Sequence, residues 1–130
     1  MAMRASAKGT FEVALKPLAG HEAAVGRMSI DKQFSGQLEA NSKGEMLAFR
    51  SAVQGSAGYV AMELVTGTLD GKAGSFVLQH TGSMERGAQQ LSISIVADSG
   101  TGELAGIAGT LALEIADGKH FYDISYTLPG

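Results

Sequence analysis

Gly26-Arg-Met-Ser-Ile-Asp-Lys-Gln-Phe-Ser-Gly-Gln-Leu-Glu-Ala-Asn41 divides its residues by parity. Even positions read Met28, Ile30, Lys32, Phe34, Gly36, Leu38 and Ala40. Odd positions read Ser29, Asp31, Gln33, Ser35, Gln37, Glu39 and Asn41. A helical repeat would mix the two sets, whereas a half-buried strand separates them. The stretch therefore predicts one long strand, with Lys32 as the single break in its apolar face. Asn41-Ser-Lys-Gly44 reads as the turn that follows, and Glu45–Gln54 as the returning strand.

The same alternation extends outward. Gly9–Leu18 sets Phe11, Val13 and Leu15 against Thr10, Glu12 and Lys16. Tyr59–Leu69 and Ala73–Met84 flank Asp70-Gly71, and Thr110–Ala116 and Lys119–Leu128 flank Asp117-Gly118. Both dipeptides are type I′ hairpin signals. With Gln90–Asp98 this makes about eight strands and no long helix; His21–Val25 and Glu103–Ile107 are long enough only for short helical turns. Of the 130 residues, 18 are glycine, about twice the usual share of roughly 7%. They are dispersed among apolar residues, which excludes a flexible linker. Short successive hairpins favour an all-β, closed up-and-down antiparallel barrel over a sandwich. Strand glycines suit its tight coiling. One domain spanning 1–130 is expected, with 1–7 as a loose N-terminal segment.

Several strings carry a resemblance: Asp31-Lys-Gln-Phe-Ser-Gly36, Gly55-Ser-Ala-Gly-Tyr59, Gly67-Thr-Leu-Asp-Gly71, Gly74-Ser-Phe-Val-Leu-Gln-His80 and Ser99-Gly-Thr-Gly-Glu-Leu-Ala-Gly106. Together, from about Lys8 to Leu128, they resemble the uncharacterised bacterial family domain of unknown function 3224, whose fold looks like the allene oxide cyclase barrel. The stretch from Gly100 to Gly106 is also similar to a loop of dirigent proteins, which share a similar barrel and assemble as trimers. The resemblance implies a fold and no activity. No catalytic position of the cyclase is carried over to this chain.

Ten basic and thirteen acidic residues give a net charge of -3, and Arg4, Lys8, Lys16, Arg27, Lys32 and Lys43 are spread singly. Nucleic-acid binding needs cations clustered on one face, so it is not expected. Without cysteine there is no disulfide framework or thiolate metal site. The start carries no apolar signal segment, and no run approaches the roughly 20 apolar residues of a membrane helix. A soluble, cytoplasmic protein that binds no membrane is the expectation.

The Asp70-Gly71 turn yields a site argument. A two-residue loop pairs Leu69 with Lys72, which sets Glu63 opposite Leu78 and Ala61 opposite His80. Glu63 and His80 are then diagonal neighbours on the face that carries Tyr59, Val65, Phe76 and Leu78. A carboxylate and an imidazole among apolar groups suit acid–base work on a small ligand. Two other readings stay open: a buried structural pair, or a surface pair with Val60, Met62 and Leu64 forming the core. Lys32, if it faces inward, needs Glu63 as partner, a ligand anion, or a route to solvent at a barrel mouth. Asp117-Gly118 sets His120, Tyr122, Ile124 and Tyr126 on one face, with His120 expected at an exposed rim and the tyrosines able to pack or to orient a ligand.

Other motifs fail. Gly67–Lys72 is followed by Ala73 where a phosphate loop needs Ser or Thr. Gly100-Thr-Gly102 with Gly106 lacks dinucleotide spacing. His21, His80 and His120 have no metal-ligand spacing, and the six methionines read as core filler. The sequence thus predicts a cofactor-free barrel with a small, mostly apolar ligand in its lumen or mouth. Glu63 and His80 are the candidate acid–base pair; Lys32, Tyr59, Phe76, Tyr122 and Tyr126 are the candidate binding residues. The alternatives are an isomerase, cyclase or lyase using that pair, and a structural or assembly protein. Apolar residues on the opposite face (Val60, Met62, Leu64 and Val77) make a homo-oligomer the expectation.

Overall fold

Eight strands wind in sequence order into a closed antiparallel barrel in the computed structural model, which describes residues 2–18 and 25–129. They are β1 (Ala2–Pro17), β2 (Gly26–Gly36), β3 (Leu38–Arg50), β4 (Ala57–Leu69), β5 (Lys72–Glu85), β6 (Ala88–Ile95), β7 (Ala108–Ala116) and β8 (Lys119–Pro129). The helical turn expected over His21–Val25 lies, apart from Val25, outside the described residues. That expected over Glu103–Ile107 is a 3-10 turn at Gly102–Leu104. No helix of the described residues is long and apolar enough to cross a membrane.

Three local expectations are corrected. The Gly26–Asn41 stretch is two strands, not one. The chain reverses around Gly36 and Gln37, so that Phe34 pairs with Ala40 and Gln33 with Asn41. Gly36 takes φ +113°, a backbone that other residues rarely adopt. Here even positions pair with even, and the apolar parity runs through the reversal unbroken. Asn41–Gly44 consequently lies inside β3, and β3 ends at Arg50 rather than Gln54. The segment expected to be loose is strand as well: β1 begins at Ala2, and Ala2–Phe11 pair with Pro129–His120 of β8. His120 is half-buried rather than exposed, its ring 5.2 Å from that of Phe11.

The Asp70-Gly71 and Asp117-Gly118 turns pair Leu69 with Lys72 and Ala116 with Lys119, as their chemistry predicts. At these two-residue loops the inward parity switches from odd on β4 to even on β5. Val65, Leu69, Phe76, Leu78, Tyr122, Ile124 and Tyr126 point into the core. Val60, Met62 and Leu64 lie on the outer wall, each about half exposed, and Val77 shares their face opposite Leu64. The face bearing Glu63 and His80 is therefore the interior one.

The apolar core gathers toward one end. There the connection from residue 96 to 107 lies along the first half of β5, which β6 does not reach. Thr101 N donates to Ser75 O (2.9 Å), and Val77 N donates to Ser99 Oγ (3.0 Å). This docking drives Leu104 and Ile107 into the core, each 1% exposed. Gly74 permits the approach, since a Cβ there would lie 2.1 Å from Thr101 O. Toward the opposite end, Leu15, Leu91 and Ile115 have the inward parity of their strands and are left 44%, 48% and 71% exposed. Between the two ends sits a polar cluster.

Candidate functional site

The cluster is held by three neighbouring hairpins. In the β4–β5 register Glu63 faces Leu78 and Ala61 faces His80, which makes the carboxylate and the imidazole diagonal neighbours. β2 brings Lys32 across β3, where it pairs with Ser42. Lys32, Glu63 and His80 are 7%, 1% and 3% exposed, and Ser42 is fully buried. β3 comes unusually close to β4 at this level because Gly44 faces Glu63. A Cβ on Gly44 would lie 2.0 Å from Met62 O and 2.7 Å from Glu63 Cα.

Glu63 is the hub. Its Oε2 accepts from Lys32 Nζ at 2.8 Å and is 2.6 Å from His80 Nε2. Its Oε1 accepts from Ser42 Oγ at 2.6 Å. Burial alone would push this carboxyl above its ordinary range. The hydrogen bond from His80, the charge and hydrogen bond of Lys32, and the Ser42 hydroxyl outweigh it and lower the pKa to about 2. Lys32 Nζ is also packed against two rings, 5.2 Å from the centroid of Phe11 and 5.9 Å from that of Phe34. Lys32 thus takes the buried-pair option rather than reaching solvent.

An ionised carboxylate only accepts hydrogen bonds, so the 2.6 Å contact requires the proton on His80 Nε2. In the neutral imidazole the lone pair is then on Nδ1. Among the described residues Nδ1 has no hydrogen-bond partner. Among the described residues the one sealed side-chain polar atom lacking a partner is Asp123 Oδ1, so His80 Nδ1 is reached by solvent. The aromatic ring of Tyr59 stands beside it, with centroids 6.3 Å apart. Tyr59 lies across Gly82, where a Cβ would come within 2.2 Å of its Cε1. Burial, and then the charge of Glu63, raise the Tyr59 phenol above its usual value and keep it protonated.

The other candidates lie apart from this cluster. Phe76 belongs to the apolar core. Tyr122 Oη accepts from Leu38 N–H (2.9 Å) and faces the carbonyls of Ser35 and Leu38 (3.0 and 3.1 Å) as donor. It thereby ties β8 to the β2–β3 reversal. The Tyr126 hydroxyl donates to Asp70 Oδ2 in the β4–β5 turn, and burial, then that carboxylate, push its pKa up to about 12. Ser42 was not singled out by the sequence, because its segment read as a turn. Once the chain reverses at Gly36, Ser42 shares the inward parity of Lys32. The methionine pair Met28 and Met46, joined across β2 and β3 and half-buried above the cluster, was likewise read only as filler. The described residues contain no group of three acidic, histidine or cysteine side chains able to hold a metal.

Comparison with known proteins gives a consistent lineage. The profile of the family described as "Protein of unknown function (DUF3224)" matches residues 7–126. A crystal structure of a protein of unknown function from the same family, from Shewanella oneidensis MR-1, superposes with a TM-score of 0.92 at 47% sequence identity. The match covers 98% of this chain and 100% of that one. No curated protein matches.

Proposed function

This chain belongs to the DUF3224 family, and on that premise we propose that its barrel is a binding module for a small, mostly apolar molecule seated in the open mouth. The observation that carries this reading is an apolar rim above one open polar atom. Leu15, Leu91 and Ile115 have the inward parity of their strands yet keep 44–71% of their surface in water. Met28, Met46 and Tyr59 stand half-buried at the same end. Below them both carboxylate oxygens of Glu63 accept hydrogen bonds, and among the described residues His80 Nδ1 is left without a partner. An apolar lining with few convergent polar groups is the usual composition of a small-molecule site. The test is a set of amide NMR correlation spectra recorded with a panel of small aromatic and aliphatic compounds. Binding in the mouth shifts the resonances of Tyr59, Gly82, Leu91 and Ile93. Shifts confined to the outer wall, or none across the panel, refute the reading.

A second reading, favoured by the Glu63–His80 contact, is a cofactor-free isomerase, cyclase or lyase. A carboxylate that fixes the tautomer of an imidazole and stabilises its protonated form is a general-base arrangement. In that case Glu63→Gln and His80→Asn each reduce turnover of a candidate substrate by a factor of about 10²–10⁴. Unchanged turnover removes the reading.

A further inference from the structure

We propose that the molecule bound in the mouth is an acid, an apolar body bearing one ionisable hydroxyl, and that it binds as its anion after passing its proton to His80 Nδ1. This rests on the binding reading above and adds the chemical class of the ligand. The argument is one of charge. Lys32 and Glu63 cancel in a 2.8 Å contact. A bare anion entering above a neutral imidazole would therefore meet no compensating charge among the apolar side chains of the rim. A neutral acid meets no such obstacle. Its O–H points at the lone pair of Nδ1, the O–H bond breaks, an N–H bond forms, and the anion faces an imidazolium. The Glu63 carboxylate lies on the other side of that ring, 2.6 Å from Nε2. No net charge is buried in the process.

The surroundings of His80 support this assignment and oppose others. β4 supplies Glu63 and Tyr59, β2 supplies Lys32, and β3 supplies Ser42. β6 faces His80 with Ile93, which carries no charge. Of these, Lys32 and Ser42 already donate to Glu63. Among the described residues the Tyr59 hydroxyl has no hydrogen-bond partner, and its ring stands beside that of His80, so it is a donor available to the anion's oxygen; His120, paired with Ile115 on the far side of the rim, is a second polar group at that end. A cationic ligand would find Glu63 sealed at 1% exposure behind its three donors. The site thus offers a base and a donor side by side, which together match a phenol, an enol or a carboxylic acid.

The probe is 4-nitrophenol, whose visible absorption band belongs to the phenolate and is absent from the phenol. At a pH where the free probe is protonated, adding the intact protein develops the phenolate band in proportion to occupancy. The ¹⁵N resonance of His80 Nδ1 moves at the same time from the unprotonated to the protonated range. His80→Gln retains an amide donor toward Glu63 but has no basic nitrogen. In this variant the mouth resonances of Leu91 and Ile93 still shift with the probe, while the phenolate band falls at least tenfold. Shifts at Leu91 and Ile93 without a phenolate band overturn the proton transfer and leave the binding reading standing. A phenolate band that persists in His80→Gln removes the role of His80. No shift in the mouth overturns both readings. Should His80→Gln fail to fold, the Nδ1 resonance of the wild type decides alone: unmoved at saturating probe, it refutes the proposal.

Discussion

Glu63→Gln turns the buried cluster into a measurable dependence of stability on pH. Glutamine keeps the shape of the carboxyl but not its charge, and exchanges one acceptor oxygen for an amide donor much as protonation exchanges one for an O–H, so it stands for the protonated acid. The Glu63 pKa is lowered from 4.5 to about 2 in the folded chain. Each unit of such a shift is worth about 1.4 kcal/mol, so the ionised carboxylate contributes about 3 kcal/mol at neutral pH. A depressed carboxyl contributes fully above its unfolded value and loses that contribution as pH falls through its folded value. Relative to the variant, the wild type is therefore more stable by about 3 kcal/mol at pH 7, by about 1.4 kcal/mol at pH 3, and by little below pH 2. Removing one partner of a buried ion pair costs on the order of 3–5 kcal/mol, and the value at pH 7 meets the lower end of that range. Urea unfolding followed by circular dichroism at several pH values from 7 to 2 reads the difference directly. Two parallel profiles, separated by a constant amount, would show that Glu63 is not ionised in the folded barrel and would refute the charge argument above.

Two further perturbations address the frame around the cluster. Tyr122→Phe leaves the buried Leu38 N–H without its 2.9 Å acceptor and lowers the unfolding free energy by about 1–3 kcal/mol, seen as a lower urea midpoint at unchanged slope; an unmoved midpoint contradicts the tie. Leu104→Ala removes the side chain that the 96–107 connection inserts into the core and costs about 2–5 kcal/mol. It also raises amide hydrogen exchange at Ser75 and Val77, whose N–H groups bond to that connection.

The parts of the fold written in turn chemistry were legible. Asp70-Gly71 and Asp117-Gly118 specify two-residue loops, and the register counted outward from the first placed Glu63 and His80 as diagonal neighbours. The face that points inward was not legible, because β4 is apolar on both sides: Val65 and Leu69 lie inside while Val60, Met62 and Leu64 lie outside. The β2–β3 reversal was hidden for a different reason. A loop in which even positions pair with even leaves the apolar rhythm intact, so hydrophobicity reads through the turn as though it were strand. Misplacing that turn cost the site Ser42, and it gave Gly44 a turn's explanation when its role is close contact with Glu63. The first residues escaped notice because Ala5 and Ala7 face the interior with side chains too small to mark a period.

The pairing of the first strand with the last has a consequence for how the chain is made. Residues Ala2–Lys8 find their ladder on β8 alone, since β2 meets β1 only from Gly9 onward. At roughly 5–20 residues per second on the ribosome, these residues wait on the order of ten seconds for Lys119–Pro129 to be synthesised. Throughout that interval β1 presents an open hydrogen-bonding edge to every other nascent chain. Contacts of such long sequence separation also slow the closing step itself. The arginine and lysine that point outward from this segment, Arg4 and Lys8, put positive charge along the edge that stays unpaired longest.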